Sequence, residues 1–136
     1  MIEILIVDDN RRQALLVKDC LSTVYKATVT VVENGESALL LLANEFYRPN
    51  LIVLELRIPN LDGCEVLRRI RRRIPKLPVV VFSRGNTQED ISRAYASGAN
   101  MYAEKPSDLD AFRKTVQCIA QLWVAPLARM RAAHAG

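Results

Sequence analysis

The sequence contains no apolar run near the ~18 residues that a membrane-spanning helix requires, so no membrane association is expected. Its start, Met1-Ile2-Glu3, carries an acid where a secretory signal would carry basic residues. Cysteine is scarce and scattered: Cys20, Cys64 and Cys118 are three in number, with no CxxC spacing. That argues against a disulfide framework or a cysteine-held zinc site. It fits a reduced, cytoplasmic setting with the three as small buried hydrophobes. The one histidine, His134, lies close to the C-terminus and is a poor candidate for catalysis or metal binding. Five glycines and six prolines in 136 residues are too few for a linker-rich or disordered chain. The net charge of +4, from 19 basic and 15 acidic side chains, falls short of a dedicated nucleic-acid binder.

What is present is a chain that is 50% apolar, enough for one domain with a full core. Ile2–Val7, Thr28–Val32, Leu51–Leu54, Val79–Phe82 and the short segment Asn100–Ala103 read as strands. Between them lie helical patterns, from Asn10 to about Val24, then Glu36–Phe46, Glu65–Ile74 and Thr87–Ala96. A last helix starts at Ser107 or Asp108 and runs to about Trp123, with Leu109, Phe112, Val116, Ile119 and Trp123 at helical spacing. Asn34-Gly35, Pro49-Asn50, Pro75, Pro78 and Ser97-Gly98 punctuate the pattern. Strands alternating with helices imply an α/β fold, a doubly wound parallel sheet covered on both faces. Residues 1–123 form the expected domain and 124–136 a C-terminal extension.

The strands share one property. Each of four buried runs leads into polar residues: Asp8-Asp9, Glu55, Ser83, and Glu104-Lys105-Pro106. The carboxyl edge of an open parallel sheet is where such folds place their sites. Carboxylates, a hydroxyl and an amine converging there suit a hard divalent cation and a phosphoryl group.

These residues resemble the bacterial response-regulator receiver domain over about residues 1–123. The matches are Asp8-Asp9, Pro59-x-x-Asp62-Gly63, Ser83, Lys105-Pro106, Ser97-Gly98-Ala99-Asn100 and Asn34-Gly35-Glu36-Ser37-Ala38. The resemblance implies a flavodoxin-like five-stranded sheet in the order 2-1-3-4-5. It implies two-component (phosphorelay) signalling, in which an Asp after the third strand takes a phosphoryl group from a histidine kinase. The matching position here is Glu55. Mg²⁺ would be held by Asp8, Asp9, Glu55 and the backbone carbonyl of Arg57. Ser83 and Lys105 would contact the phosphoryl oxygens, and a cis peptide before Pro106 would aim Lys105 inward. Tyr102 matches the aromatic that reorients on activation.

Glu55 departs from the family pattern. Its extra methylene carries the carboxylate about 1.5 Å further from the backbone, which in-line transfer tolerates poorly. Two readings stand for it: a built-in phosphate mimic near Lys105 and Ser83, or a plain replacement in a decayed site. Arg84 likewise has two. It crowds the mouth of the site and pairs with a carboxylate, or its side chain runs into solvent. Arg68, Arg69, Arg71, Arg72, Arg73 and Lys76 crowd one helix end, where a solvated face favoured by the helix dipole is the expectation. Leu39–Leu42 is too long a run for one stripe, leaving Leu40 half-exposed or in a contact.

The extension after Trp123 is similar to single-domain regulators paired with bacterial phytochromes, which often dimerise. The chain is expected to be a stand-alone receiver that binds a histidine kinase or other signalling protein, with a second copy of itself as a further candidate partner. The contact would run through the fourth helix, the fifth strand and the last helix, with Tyr102 and Trp123 among its residues. It is not expected to be an enzyme. The alternatives are a still phosphorylatable, Mg²⁺-dependent regulator and a phosphatase-like hydrolase. Against the last, no second nucleophile or general acid pair accompanies the carboxylates.

Overall fold

The computed structural model describes residues 2–135. Its strands are β1 (Glu3–Val7), β2 (Thr28–Val32), β3 (Leu51–Leu54), β4 (Val79–Ser83) and β5 (Met101–Glu104). The helices are α1 (Arg11–Tyr25), α2 (Gly35–Ala43), α3 (Gly63–Arg73), α4 (Gln88–Ala96), α5 (Leu109–Ile119) and α6 (Ala125–Ala135). The strands are all parallel and form one sheet in the order β2-β1-β3-β4-β5, as the resemblance implies.

Successive strand residues point to opposite faces, and both faces are buried. Ile4, Ile6, Leu51, Val53, Val80 and Phe82 meet Ala14, Val17 and Leu21 of α1 and Phe112, Val116 and Ile119 of α5. Leu5, Val7, Ile52, Leu54, Val79 and Val81 meet α2, α3 and α4. This two-sided burial is why the strands read as continuous apolar runs instead of alternating ones. Asn10, Asn34, Thr87 and Asp108 cap the starts of α1, α2, α4 and α5, each accepting from a backbone N–H three residues on.

The boundaries differ most from the sequence reading in two places. Helix α2 stops at Ala43, because Asn44 is extended and returns its N–H to the Leu41 carbonyl. Phe46 is then left in a turn, 89% exposed. The last helix does not end at Trp123. Ala120–Val124 forms a π-helical turn and α6 continues the same rod. Val124 and Ala125 are buried, with Val124 in the core against the sheet. The residues expected as an extension thus contribute to the domain interior. Leu109, expected on the packed face, is half-exposed, and of the three cysteines only Cys64 is buried. Leu40 is exposed, as its place in the leucine run suggests. The side chain of His134 lies outside the described residues.

The basic run resolves into two different uses. Glu65 takes Arg68, Arg69 and Arg72 as ion-pair partners on the surface. Arg71 is a staple. Its guanidinium donates to the carbonyls of Gly98 and Leu77 and to Asn100 Oδ1, at 2.8, 2.5 and 2.6 Å. It thereby fastens the loops entering β4 and β5. Its stem packs so closely that a Cβ on Gly98 would come within 2.4 Å of Arg71 Cγ. Arg71→Ala removes a charged donor from several carbonyls at once, and we expect a loss of about 2 kcal/mol in urea unfolding.

Candidate functional site

Asp8, Glu55 and Lys105 each sit one residue beyond a strand, and Ser83 closes β4. The sheet ladder continues through them: the amides of Asp8, Glu55 and Lys105 donate to the carbonyls of Val32, Val7 and Ser83 at 3.0, 2.9 and 2.8 Å. Their backbones are therefore fixed by the sheet, and only the side chains have freedom. All four are buried, Asp8 and Glu55 at 4% exposure each. The chain thus brings these four residues together at the carboxyl edge, as their strand-end positions predict.

The centre is an ammonium between two carboxylates. Lys105 Nζ donates to Asp8 Oδ2 at 2.6 Å, to Glu55 Oε1 at 3.0 Å and to Gln13 Oε1 at 2.9 Å. Three donors meet three acceptors, so the ammonium is fully satisfied. The other carboxylate oxygen of Glu55 takes the Ser83 hydroxyl in a short hydrogen bond and the Arg57 amide N–H at 3.1 Å. Asp8 Oδ1 takes the Asn10 amide at 2.9 Å. Lys105 reaches this position although there is no cis peptide bond among the described residues. The inward aim comes from the β5 ladder and not from the proline isomer expected at Pro106.

The charges do not balance: two buried carboxylates share one ammonium. Burial, together with the charge of Glu55, raises the Asp8 carboxyl above its ordinary value in spite of Lys105. A raised folded value means that the native protein holds the proton more tightly than the unfolded chain does. The stability Asp8 contributes is therefore full below the ordinary aspartate value and is lost as pH rises through the raised one. Asp8→Asn should flatten that part of the pH profile, which urea midpoints across the carboxylate titration range will show.

Other expected site residues lie elsewhere. Asp9 is exposed. Arg84 is exposed as well and does not crowd the carboxylates; its carbonyl is taken by Arg57 Nε at 3.1 Å. The Arg57 guanidinium, not that of Arg84, crosses the mouth of the site and pairs with Asp90 at 2.9 Å. Tyr102 is half-buried and donates its hydroxyl to the Gly85 carbonyl at 2.6 Å. Trp123 packs against the edge strand, its indole N–H on the Met101 sulfur at 3.2 Å.

The expected Mg²⁺ ligand set fits this arrangement poorly. All four oxygens of Asp8 and Glu55 already accept protein donors, and Asp9 faces outward. Among the described residues no three acidic, histidine or cysteine side chains gather to hold an ion. Lys105 supplies the cation at the centre.

Gln13 escaped the sequence reading. Its only signal is position: it stands three residues after the helix cap Asn10, in the first turn of α1 above the sheet edge.

Comparison with known proteins agrees with this fold. Residues 4–117 match the profile of the response regulator receiver domain. The chain is 31% identical over 129 residues to response regulator Rcp1 of a Synechocystis strain, spanning 89% of this chain and 88% of that one. It is 33% identical over 128 residues to the probable methanogenesis regulatory protein FilR2 of Methanothrix harundinacea, spanning 89% and 83%. The crystal structure of the Mn²⁺-bound form of Rcp1 superposes with a TM-score of 0.84 at 31% identity, covering 90% of this chain and 94% of that one. The phosphorylated cyanobacterial phytochrome response regulator RcpA superposes equally well, with a TM-score of 0.84 over 91% and 94% at 31% identity. Neither a helix long and apolar enough to cross a membrane nor a second sheet is found among the described residues. With its sheet order, its strand-end site and a family match over most of its length, the chain belongs to the response regulator receiver domain family.

Proposed function

We propose that this receiver domain works with its site held in one signalling state by Glu55, and that it signals by contact with another protein and not by turnover. The carrying observation is the Glu55 carboxylate itself. It bridges the Ser83 hydroxyl and the Lys105 ammonium, the two groups that the resemblance assigns to phosphoryl oxygens. The extra methylene places a negative charge where the phosphoryl group of relatives would carry one. Mg²⁺ is dispensable in this state, because Lys105 already supplies the cation that pairs with both Asp8 and Glu55. The partner is a histidine kinase or another signalling protein, met through α4, β5 and the rod of α5 and the π-helical turn that follows it, where Tyr102 and the half-buried Trp123 lie.

A Glu55 that serves as phosphoacceptor is the weaker reading. Both of its oxygens are engaged, and attack on a phosphodonor requires one to leave Lys105 or Ser83. The test is intact mass after treatment with a small acyl-phosphate donor in a magnesium buffer. The native chain is expected to gain nothing. A mass gain that maps to Glu55 would establish the phosphoacceptor reading instead.

A further inference from the structure

Arg57 reaches in two directions. Its amide N–H donates to Glu55 Oε2 at 3.1 Å, inside the site. Its guanidinium donates to the Arg84 carbonyl at 3.1 Å and pairs with Asp90 at 2.9 Å, outside it. Arg84 follows β4 directly and Asp90 stands in the first turn of α4, so these contacts span the segment that leads into that helix. Gly85 lies within it at φ 86°, and a Cβ there would stand 3.1 Å from Arg57 Nη2. Glycine serves at this point both for the positive φ and for the close approach. On its other side the Gly85 carbonyl takes the Tyr102 hydroxyl at 2.6 Å. The segment is thus clasped between Arg57 and Tyr102.

A second ion pair joins the same two elements. Arg93 of α4 meets Asp62, just before α3, at 3.0 Å. The charges are crossed: the loop after β3 offers a cation at Arg57 and an anion at Asp62, while α4 offers an anion at Asp90 and a cation at Arg93. Asp90 and Arg93 are one helical turn apart on one face. Sliding α4 by a turn would set like charges opposite each other, so the pairs specify its register as well as its closeness.

We propose that Arg57 is a positioning residue that ties the placement of helix α4 to the carboxylate of Glu55. The inference rests on reading Glu55 as the fixed group of the site, and it names the route from that group to the contact surface. One residue holds both ends. A carboxylate that leaves Ser83 and Lys105 also releases the Arg57 amide, and with it the strap over Arg84 and Asp90. The ion pairs are half-exposed and individually weak. The effect therefore appears in local opening of α4 and not in global unfolding.

Amide hydrogen exchange of α4 tests this in four proteins: native, Glu55→Ala, Arg57→Ala and the double variant. Arg57 is exposed, so its replacement leaves the core intact. Glu55→Ala retains the Asp8–Lys105 pair, and Glu55→Gln replaces it if the alanine variant does not fold. Each single change is expected to speed α4 exchange about threefold to fivefold, and the double change no further. Arg93→Ala, which acts on α4 apart from Glu55, is expected to multiply with Glu55→Ala. If Glu55→Ala and Arg57→Ala multiply instead, the tie through Arg57 is overturned while the fixed-state reading stands. If Glu55→Ala leaves α4 exchange unchanged, both fall.

Discussion

Replacing Lys105 by alanine is expected to cost about 3–5 kcal/mol of stability, the range for removing one partner of a buried ion pair. The loss does not come from the pairing energy as such. The variant leaves Asp8 and Glu55, each 4% exposed, as two adjacent carboxylates with no cation between them. Two anions at such a distance in a poorly solvated pocket do not both stay ionised. One of them has to take a proton, and the variant should regain part of its stability as the pH falls. Urea unfolding at neutral and mildly acidic pH reads both effects. Lys105→Met keeps most of the packing and isolates the charge. A loss below about 1 kcal/mol in both variants would mean that water reaches the pocket, as it does at surface pairs.

Glu55→Asp is expected to gain a phosphate where the native chain gains none. Shortening the side chain draws the carboxylate back by about 1.5 Å and frees the Ser83 hydroxyl and one donor of Lys105. Those two groups then stand ready for phosphoryl oxygens. Misplacement of about 1 Å can change such a transfer by about 100-fold, so the variant's rate of incorporation should exceed the native rate by at least that factor. Intact mass after acyl-phosphate treatment measures it. Failure of the variant to incorporate phosphate would mean that more than Glu55 bars the site, with the Arg57 strap across its mouth the next group to remove.

The strands were legible because both sides of the sheet are buried, so that Ile4–Val7, Leu51–Leu54 and Val79–Phe82 are apolar without interruption. The same feature made most of the site legible: a polar residue that directly follows such a run lies at the sheet edge, which is how Asp8, Glu55 and Ser83 stand out. Lys105, separated from its run by Glu104, was marked instead by the Lys105-Pro106 resemblance. What depended on side-chain reach was not legible. Arg57 and Arg84 are both arginines beside the site, and only the loop backbone decides that Arg57 turns across it while Arg84 faces solvent. Gln13 meets Lys105 from another element, with no local pattern to mark it. The last helix runs on past Trp123, where its expected apolar spacing ends, and it does so through Val124-Ala125-Pro126 although proline lacks the N–H that an α-helix needs. The π-helical turn resolves this: the Ala125 N–H bonds back to Ala120, and Pro126 then enters α6 without breaking the rod.

If Glu55 stands in for a phosphoryl group, the amide chemical shifts of the native chain will carry the signature of the phosphorylated state. The native chain would be compared with the Glu55→Asp variant before and after phosphorylation, across the segment from Arg84 to Asp90 and through α4. The native resonances are expected to fall with those of the phosphorylated variant. If they fall instead with the unphosphorylated variant, Glu55 is an inert replacement, and the contacts it makes with Ser83 and Lys105 do not set the signalling state.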